Sequence, residues 1–377
     1  MKKFYIYINF FMIVIFFFVY FSETAIADID NSIPTVPDNF KGLDLRENFH
    51  DVVNTGGGFS YSQDNSILQM TNWYNQKTAI WGKNQVDLSQ YFKIEFYFYM
   101  GNSGKDAADG MIFGLQNYSP SYVGDAGSGM GFYSDREAYK VAVEFDTYFN
   151  ADSARGDAPD SWFGPHGDNG LKSRANHMAV ATSDKNWKNY QYHYGASSIG
   201  TDAMIPNQFF SNGAWKKVVI ESKPIASKDT QTMLSYSMYD LNYGTTIYGQ
   251  CMVDFNSNMN DYSSHHFLRS KYAYWGFTAS TGEKKEIAAM SFGTLPQTPT
   301  LTTKDIIIYA GQDWNPSMNF ISGMDEKAQL FGYDDSRLTQ ENNVDTSKPG
   351  TYTVNYYYKN GNFDAHSEAN VIVKEDK

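Results

Sequence analysis

The sequence predicts an all-β protein: an antiparallel β-sandwich or barrel followed by a second, smaller β-domain. Three observations carry this. Apolar and polar residues alternate at every second position along the chain, and no stretch has the 3.6-residue period of an amphipathic helix. Clusters of Gly, Asn, Asp and Ser separate the alternating segments. Aromatic residues make up 17% of the 377 residues and charged ones only 19%, a mix that suits pleated, half-buried surfaces.

The first element in chain order is a targeting segment. Lys2 and Lys3 precede an apolar run from Phe4 to Phe21, broken only by Asn9, and Ala25-Ile26-Ala27 closes it. A charged start, an apolar middle and an Ala-x-Ala exit make residues 1–27 a secretory signal, with cleavage expected after Ala27. An uncleaved anchor is the alternative, but the uninterrupted part from Phe10 to Phe21 is 12 residues, short for a span. No membrane insertion is expected once the signal is removed, and the product is expected outside the cell or on its surface.

The clearest strand is Lys93 to Met100. Ile94, Phe96, Phe98 and Met100 share one face, and Lys93, Glu95, Tyr97 and Tyr99 share the other. Similar strands are expected at Met111 to Leu115, Val141 to Asp146, His177 to Ala181, Trp215 to Glu221, Met233 to Asp240, Tyr274 to Ala279 and Ile287 to Phe292. Leu295-Pro296-Gln297-Thr298-Pro299-Thr300 breaks the pattern, so one domain is expected over 38–296 and another over 299–377. The second has its own strands at Asp305 to Ala310, Thr351 to Tyr358 and Ala369 to Val373, with a turn at Lys348-Pro349-Gly350.

Charge and cysteine usage exclude several functions. Thirty Lys and Arg against 42 Asp and Glu give a net charge of −12, so no nucleic-acid partner is expected. The single Cys251 rules out an intrachain disulfide, a zinc-thiolate site and a Cys-x-x-Cys redox centre. It reads as a small buried apolar residue. Gly56-Gly57-Gly58 follows no expected strand and opens no helix, which leaves a turn and not a phosphate loop.

The chemistry concentrates around Val141-Ala142-Val143-Glu144-Phe145-Asp146. Alternation puts Val141, Val143 and Phe145 on one face and Glu144 and Asp146 on the other. Two carboxylates about 7 Å apart along a strand repel unless a positive group sits between them. A bound divalent cation or an ion pair with Lys or Arg would each satisfy them. The long loop that follows carries Asn150, Asp152, Asp157, Asp160 and Asp168 and ends at His177. Oxygen donors of this kind suit Ca²⁺, and an imidazole suits a transition ion such as Mn²⁺.

The flanking residues resemble a known family. Glu144-Phe145-Asp146-Thr147-Tyr148-Phe149-Asn150, followed by His177, is similar to the metal-binding segment of the legume-type (L-type) lectins. Three further stretches agree in order: Ala108-Asp109-Gly110-Met111-Ile112-Phe113, Gly127-Ser128-Gly129-Met130-Gly131-Phe132, and Trp275-Gly276-Phe277-Thr278-Ala279-Ser280-Thr281-Gly282. The resemblance covers roughly residues 38 to 295 and implies a concanavalin-like antiparallel β-sandwich, or jelly roll. Asp345-Thr346-Ser347-Lys348-Pro349-Gly350-Thr351-Tyr352-Thr353-Val354-Asn355-Tyr356 resembles the bacterial immunoglobulin-like modules of Gram-positive surface proteins, which implies a small immunoglobulin-like β-sandwich acting as a spacer.

Carried over by position, the lectin resemblance implies that Glu144 and His177 belong to a transition-metal site and that Asp146 bridges both ions. Tyr148, through its carbonyl, and Asn150 would ligate Ca²⁺. Asp109 would accept from two sugar hydroxyls, Asn150 would donate to the sugar and the Tyr148 ring would stack on it. Ser128 stands where a Gly amide meets the sugar in the family, with Gly127 or Gly129 as alternatives for that amide, and Thr281 and Gly282 would also bind the carbohydrate. This chain departs from the family where Asn150 and His177 stand 27 positions apart; Asp157, Asp160 and Asp168 are the candidates for the further metal ligand, with Asp168 favoured, and Ca²⁺ is expected as the more secure ion. Asp109 alone would read as a turn aspartate before Gly110.

The expected activity is binding without catalysis. Laminarinase-like hydrolases resemble this fold but need Glu-x-Asp-x-x-Glu, and here no second Glu follows Asp146. No Gly-x-Ser-x-Gly nucleophile elbow is present. The implied partners are glycans of a host or bacterial surface, bound for adhesion. The rival function is a structural or protein-binding surface module that has kept the fold without sugar binding.

Overall fold

The structure is a computed structural model that describes residues 28–37, 40, 42–134, 139–148, 176–183, 191–194, 209–255, 268–296, 298–326 and 329–375. The expected signal segment, residues 1–27, lies outside these residues. Among them no helix is long and apolar enough to cross a membrane.

One helical turn, α1 (Leu45–Asn48), precedes the strands, started by Asp44, whose side chain accepts from Arg46 N and Glu47 N. The strands then follow as β1 (Val53–Thr55), β2 (Ser60–Tyr61), β3 (Ile67–Thr71), β4 (Lys77–Trp81), β5 (Val86–Asp87), β6 (Phe92–Tyr99) and β7 (Gly110–Gln116). Next come β8 (Lys140–Asp146), β9 (His177–Ser183), β10 (Gln191–Tyr194), β11 (Lys216–Pro224), β12 (Gln231–Asp240), β13 (Thr245–Asp254), β14 (Tyr272–Ser280) and β15 (Ala288–Thr294). The front sheet runs β1-β4-β14-β7-β8-β9-β10, with β5 paired to β14; the back sheet runs β13-β12-β11-β6-β15-β3-β2. The fold is all-β, and these two sheets form a jelly-roll sandwich.

Period-two patterning creates the core between the sheets. Phe96 and Phe98 of β6 and Phe292 of β15 meet Phe113 of β7, Phe145 of β8 and Phe277 of β14. Edge-to-face and tilted pairs occur among these rings: Phe96 lies 4.8 Å from Phe277 at 73°, and Phe98 lies 4.5 Å from Phe145 at 46°.

Neither outer face is bare. Tyr97 and Tyr99, on the polar side of β6 by alternation, are buried under the segment from Ile29 to Phe40. Trp215 Nε1 donates to Pro34 O at 2.8 Å there, and Tyr99 Oη donates to Ser32 O at 3.2 Å. On the front sheet, Tyr122, Met130, Phe132 and Tyr133 of the loop after β7 fold over Trp81, Ile112 and Ala142. Trp81 Nε1 donates to Tyr122 O at 2.7 Å and fixes that loop.

Two expectations need correcting. Gly56-Gly57-Gly58 does follow a strand, β1, and turns the chain back with φ of +87°, +76° and +90°. Cys251 is only half-buried, at the edge of the core on β13, where burial pushes its thiol up to about 12.

The remaining strands are β16 (Thr300–Thr303), β17 (Ile306–Tyr309), β18 (Phe320–Met324), β19 (Leu330–Phe331), β20 (Leu338–Asn342), β21 (Gly350–Asn360) and β22 (Phe363–Lys374). They form a sheet β16-β18-β19 and a sheet β17-β22-β21-β20, in which β17 and β22 are parallel. Val354, Tyr356, Val371, Val373, Ile308 and Phe320 make a separate core.

Candidate functional site

Sheet register gathers the acidic strand and the loops at one end of the front sheet. Ser280, Gly110, Asp146 and His177 stand in one row across β14, β7, β8 and β9. Each is a strand end, so the connecting loops leave the sheet side by side.

Asp109 enters this row through Gly110. With φ of +142°, Gly110 has no room for a side chain: a Cβ would stand 2.5 Å from Phe145 O and 2.9 Å from Met130 Sδ. The Ala108-Asp109 peptide is cis. Asp109 N donates to Ser280 O and its carbonyl accepts from Thr147 N, each at 3.1 Å, so the residue is held from both neighbouring strand ends. It is 7% exposed.

Along β8, Val141, Val143 and Phe145 face the inter-sheet core while Glu144 and Asp146 face the other way. Both carboxylates are buried. Tyr133 Oη donates to Glu144 Oε2 at 3.0 Å, and Tyr148 N donates to Asp146 Oδ1 at 2.6 Å. The Tyr148 ring is exposed and carries the Lys284 ammonium 5.0 Å from its centroid.

The glycine-rich loop lies against the row. Gly127–Gly129 form a single 3₁₀ turn, in which Gly129 N donates to Ala126 O at 3.3 Å. Ser280 Oγ donates to Gly127 O at 3.0 Å, and Thr278 Oγ1 donates to Met130 O at 2.8 Å. Ser128 is half-buried and Gly129 buried.

The loop after β14 closes the opposite side. A Cβ on Gly282 would stand 3.2 Å from Asp109 Oδ2 and 3.7 Å from Gly127 Cα, so the three loops meet there. The Thr281 side chain is fully buried and does not face this opening. Its hydroxyl donates to Trp73 O at 2.6 Å and accepts from Gln76 N at 3.0 Å, so it enters the site as an anchor for the turn after β3 and not as a side-chain contact.

A buried polar cluster stands behind Asp109. Burial is the main cause pushing the Glu286 carboxyl up to about 8; Thr147 and the Lys216 charge pull it down and the Asp109 charge pushes it up. Lys216 is buried 3.8 Å from Asp240 and donates to Asn212 Oδ1, Ala214 O and Phe210 O. Burial lowers its ammonium to about 8, against the charges of Asp240 and Glu286.

Of the expected metal ligands, Glu144, Asp146 and Tyr148 come together on β8 and just beyond it. His177 is described by its backbone, opposite Asp146 in the register, and Asn150 and Asp168 lie outside the described residues. Among the described residues no three His, Cys, Asp and Glu side chains converge as a metal set. The donor chemistry that is described, two buried carboxylates on one strand face, fits a hard divalent cation.

The sequence reading passed over Trp73, Tyr74 and Glu286. The only signal for the first two is a pair of aromatics interrupting an otherwise polar turn, Asn72-Trp73-Tyr74-Asn75-Gln76. Glu286 sits in the charged run Glu283-Lys284-Lys285-Glu286, which has the look of a solvated loop.

Two antiparallel sheets with clustered loops at one end of the front sheet define a concanavalin-like β-sandwich. Residues 43–294 match the legume lectin beta-barrel domain family, and the chain belongs to that family, the L-type lectins. Residues 301–374 match the bacterial Ig-like domain (group 3) family.

The chain is similar to the pesticidal crystal protein Cry22Aa of Bacillus thuringiensis, with 23% identity over 319 residues. That match covers 82% of this chain but spans only 41% of the relative. Among solved structures, lectin II from Ulex europaeus is 18% identical over 67% of this chain and 93% of its own, at a TM-score of 0.44. The Ca²⁺/Man-bound exoplasmic/lumenal domain of VIP36 is 11% identical over 66% and 83%, at 0.39.

Proposed function

We propose that the protein is a secreted bacterial surface lectin that binds carbohydrate at the loop end of its front sheet, with the immunoglobulin-like module as a spacer. Asp109 accepts from sugar hydroxyls, Asn150 and a backbone amide at Ser128 or Gly129 donate, the Tyr148 ring stacks on the sugar face, and Gly282 lines the rim. Asp146, the Tyr148 carbonyl, Asn150 and Asp168 would hold Ca²⁺; Glu144 and His177, with Asp146, would hold a transition ion such as Mn²⁺. A bound ion supplies no bond-making chemistry here: it neutralises the carboxylates and stiffens the loop carrying Tyr148 and Asn150.

The observation that carries this reading is the convergence of three separate loops on Asp109 at the end of the buried acidic strand, in a chain of the L-type lectin family. Adhesion to host or neighbouring cells is the proposed use, and weak single-site affinity would be offset by several copies on one surface. The test is a glycan array probed with the full chain and with Asp109→Ala. Binding by the wild type that is lost in a folded variant supports the reading. A folded wild type that binds no glycan points instead to a structural or protein-binding module.

A further inference from the structure

Beside the proposed sugar site the structure holds an exposed aromatic corner. Trp73 is 56% exposed and Tyr74 40%, and their rings meet at 5.2 Å and 80°. Side by side, the two rings make one contiguous aromatic patch, where most other exposed aromatics among the described residues stand singly. Lys285, itself exposed, places its ammonium 4.0 Å from the Trp73 centroid and 5.6 Å from that of Tyr74.

The corner is built and not a loose excursion. Gln76, 4% exposed, folds its side chain into the turn, where Oε1 accepts from Asn72 N and Trp73 N at 2.8 Å each. The buried Thr281 hydroxyl ties the same turn through Trp73 O and Gln76 N, and Asn75 N donates to Gly282 O at 3.2 Å. The turn is therefore fixed to the rim residue whose Cβ position lies 3.2 Å from Asp109. Loop order of this kind keeps the rings in place before a ligand arrives, which lowers the entropic cost of binding.

The charge selects the occupant. Lys284 is paired with Asp106 at 3.5 Å, whereas no carboxylate among the described residues lies within ion-pair distance of Lys285. The Lys285 ammonium therefore faces the two rings without a carboxylate beside it. A pyranose offers an apolar C–H face for the rings, and a carboxylate on it would pair with the ammonium.

We propose that Trp73, Tyr74 and Lys285 form a second subsite for a carboxylate-bearing sugar ring, linked to the ring held at Asp109. The assignment rests on the lectin reading above and names its ligand class: acidic oligosaccharides in preference to neutral ones and to single sugars.

The test measures binding of the full chain to matched probes: monosaccharides, chitotetraose and lactose as neutral oligosaccharides, and hyaluronan tetrasaccharide and sialyllactose as carboxylated ones. The variants are Trp73→Ala, Lys285→Gln and Asp109→Ala. The expected result is that wild type prefers a carboxylated probe about tenfold, that Lys285→Gln removes the preference, and that Trp73→Ala lowers the ratio of oligosaccharide to monosaccharide affinity about tenfold. Asp109→Ala abolishes all binding. Unchanged ratios in Trp73→Ala and Lys285→Gln, with Asp109→Ala still inactive, would overturn the second subsite and leave the lectin reading standing. No binding of any probe by folded wild type would overturn both. Circular dichroism of each variant excludes loss of fold, which the exposed positions of Trp73 and Lys285 make unexpected.

Discussion

Replacing Thr281 by Val tests how much a buried hydroxyl contributes to holding the rim of the site. The substitution keeps the branched shape, so no cavity opens, and removes two hydrogen bonds: Thr281 Oγ1 to Trp73 O at 2.6 Å and Gln76 N to Thr281 Oγ1 at 3.0 Å. The Trp73 carbonyl lies in a part-buried setting where water can replace the lost donor, a cost of about 1 kcal/mol. The Gln76 N–H is buried and is stranded, which costs about 1–3 kcal/mol. The sum is a destabilisation of about 2–4 kcal/mol. Urea denaturation followed by tryptophan fluorescence measures it, and Thr281→Ser, which keeps the hydroxyl, is the control. A Val variant within about 0.5 kcal/mol of wild type, the scatter of an ordinary surface change, would refute the idea that this hydroxyl anchors the turn.

Other substitutions probe neighbouring parts of the account. Gly110→Ala forces a side chain at φ +142° and 2.5 Å from Phe145 O; a loss of about 2–4 kcal/mol is expected in thermal unfolding, with loss of sugar binding, and near-wild-type stability would contradict the close fit. Glu286 has a folded pKa of about 8 against 4.5 for the ordinary carboxyl, so between those values the folded state holds a proton that the unfolded state has lost. Stability from this group is therefore fully present below about pH 4.5 and falls as pH rises towards 8, by at most about 5 kcal/mol. Glu286→Gln should flatten that slope in denaturation at roughly pH 5, 6.5 and 8, and parallel curves for the two proteins would count against it. Trp81→Phe removes the donor to Tyr122 O and should cost about 1–3 kcal/mol, with faster proteolysis in the loop after β7; unchanged proteolysis would show that the loop is held otherwise.

The interior of the fold was legible because strict alternation encodes one buried face. Ile94, Phe96, Phe98 and Met100 are all fully buried, as the pattern of β6 required. The same pattern put Tyr97 and Tyr99 on the opposite face but could not show that they are covered, because the covering segment lies about sixty residues away in sequence, where local period carries no information. Strand β13 escaped notice because its outer face keeps Tyr248 and Met252 exposed, which blurs the alternation. Strands β1, β2 and β5 are two or three residues long, too short to show any period.

In the candidate site, the motif residues were readable because glycine and acid positions repeat in the same order as in the family. Glu144 and Asp146 share a strand face as alternation demanded, and Asp109 sits where Gly110 permits it. What stayed hidden was the role of Thr281, a short polar residue whose hydroxyl turns inward to a turn some 200 positions earlier in the chain. Trp73 and Tyr74 stayed hidden for the same reason, since only tertiary structure brings them beside Gly282.

The most direct test of the central claim is glycan-array binding by the full chain with excess Ca²⁺, repeated after chelation and repeated with Asp109→Ala. The account predicts binding to a defined set of glycans that is lost on chelation, restored by Ca²⁺ and absent from the folded variant. Glycan binding that survives both the chelator and the loss of the Asp109 carboxylate would contradict it.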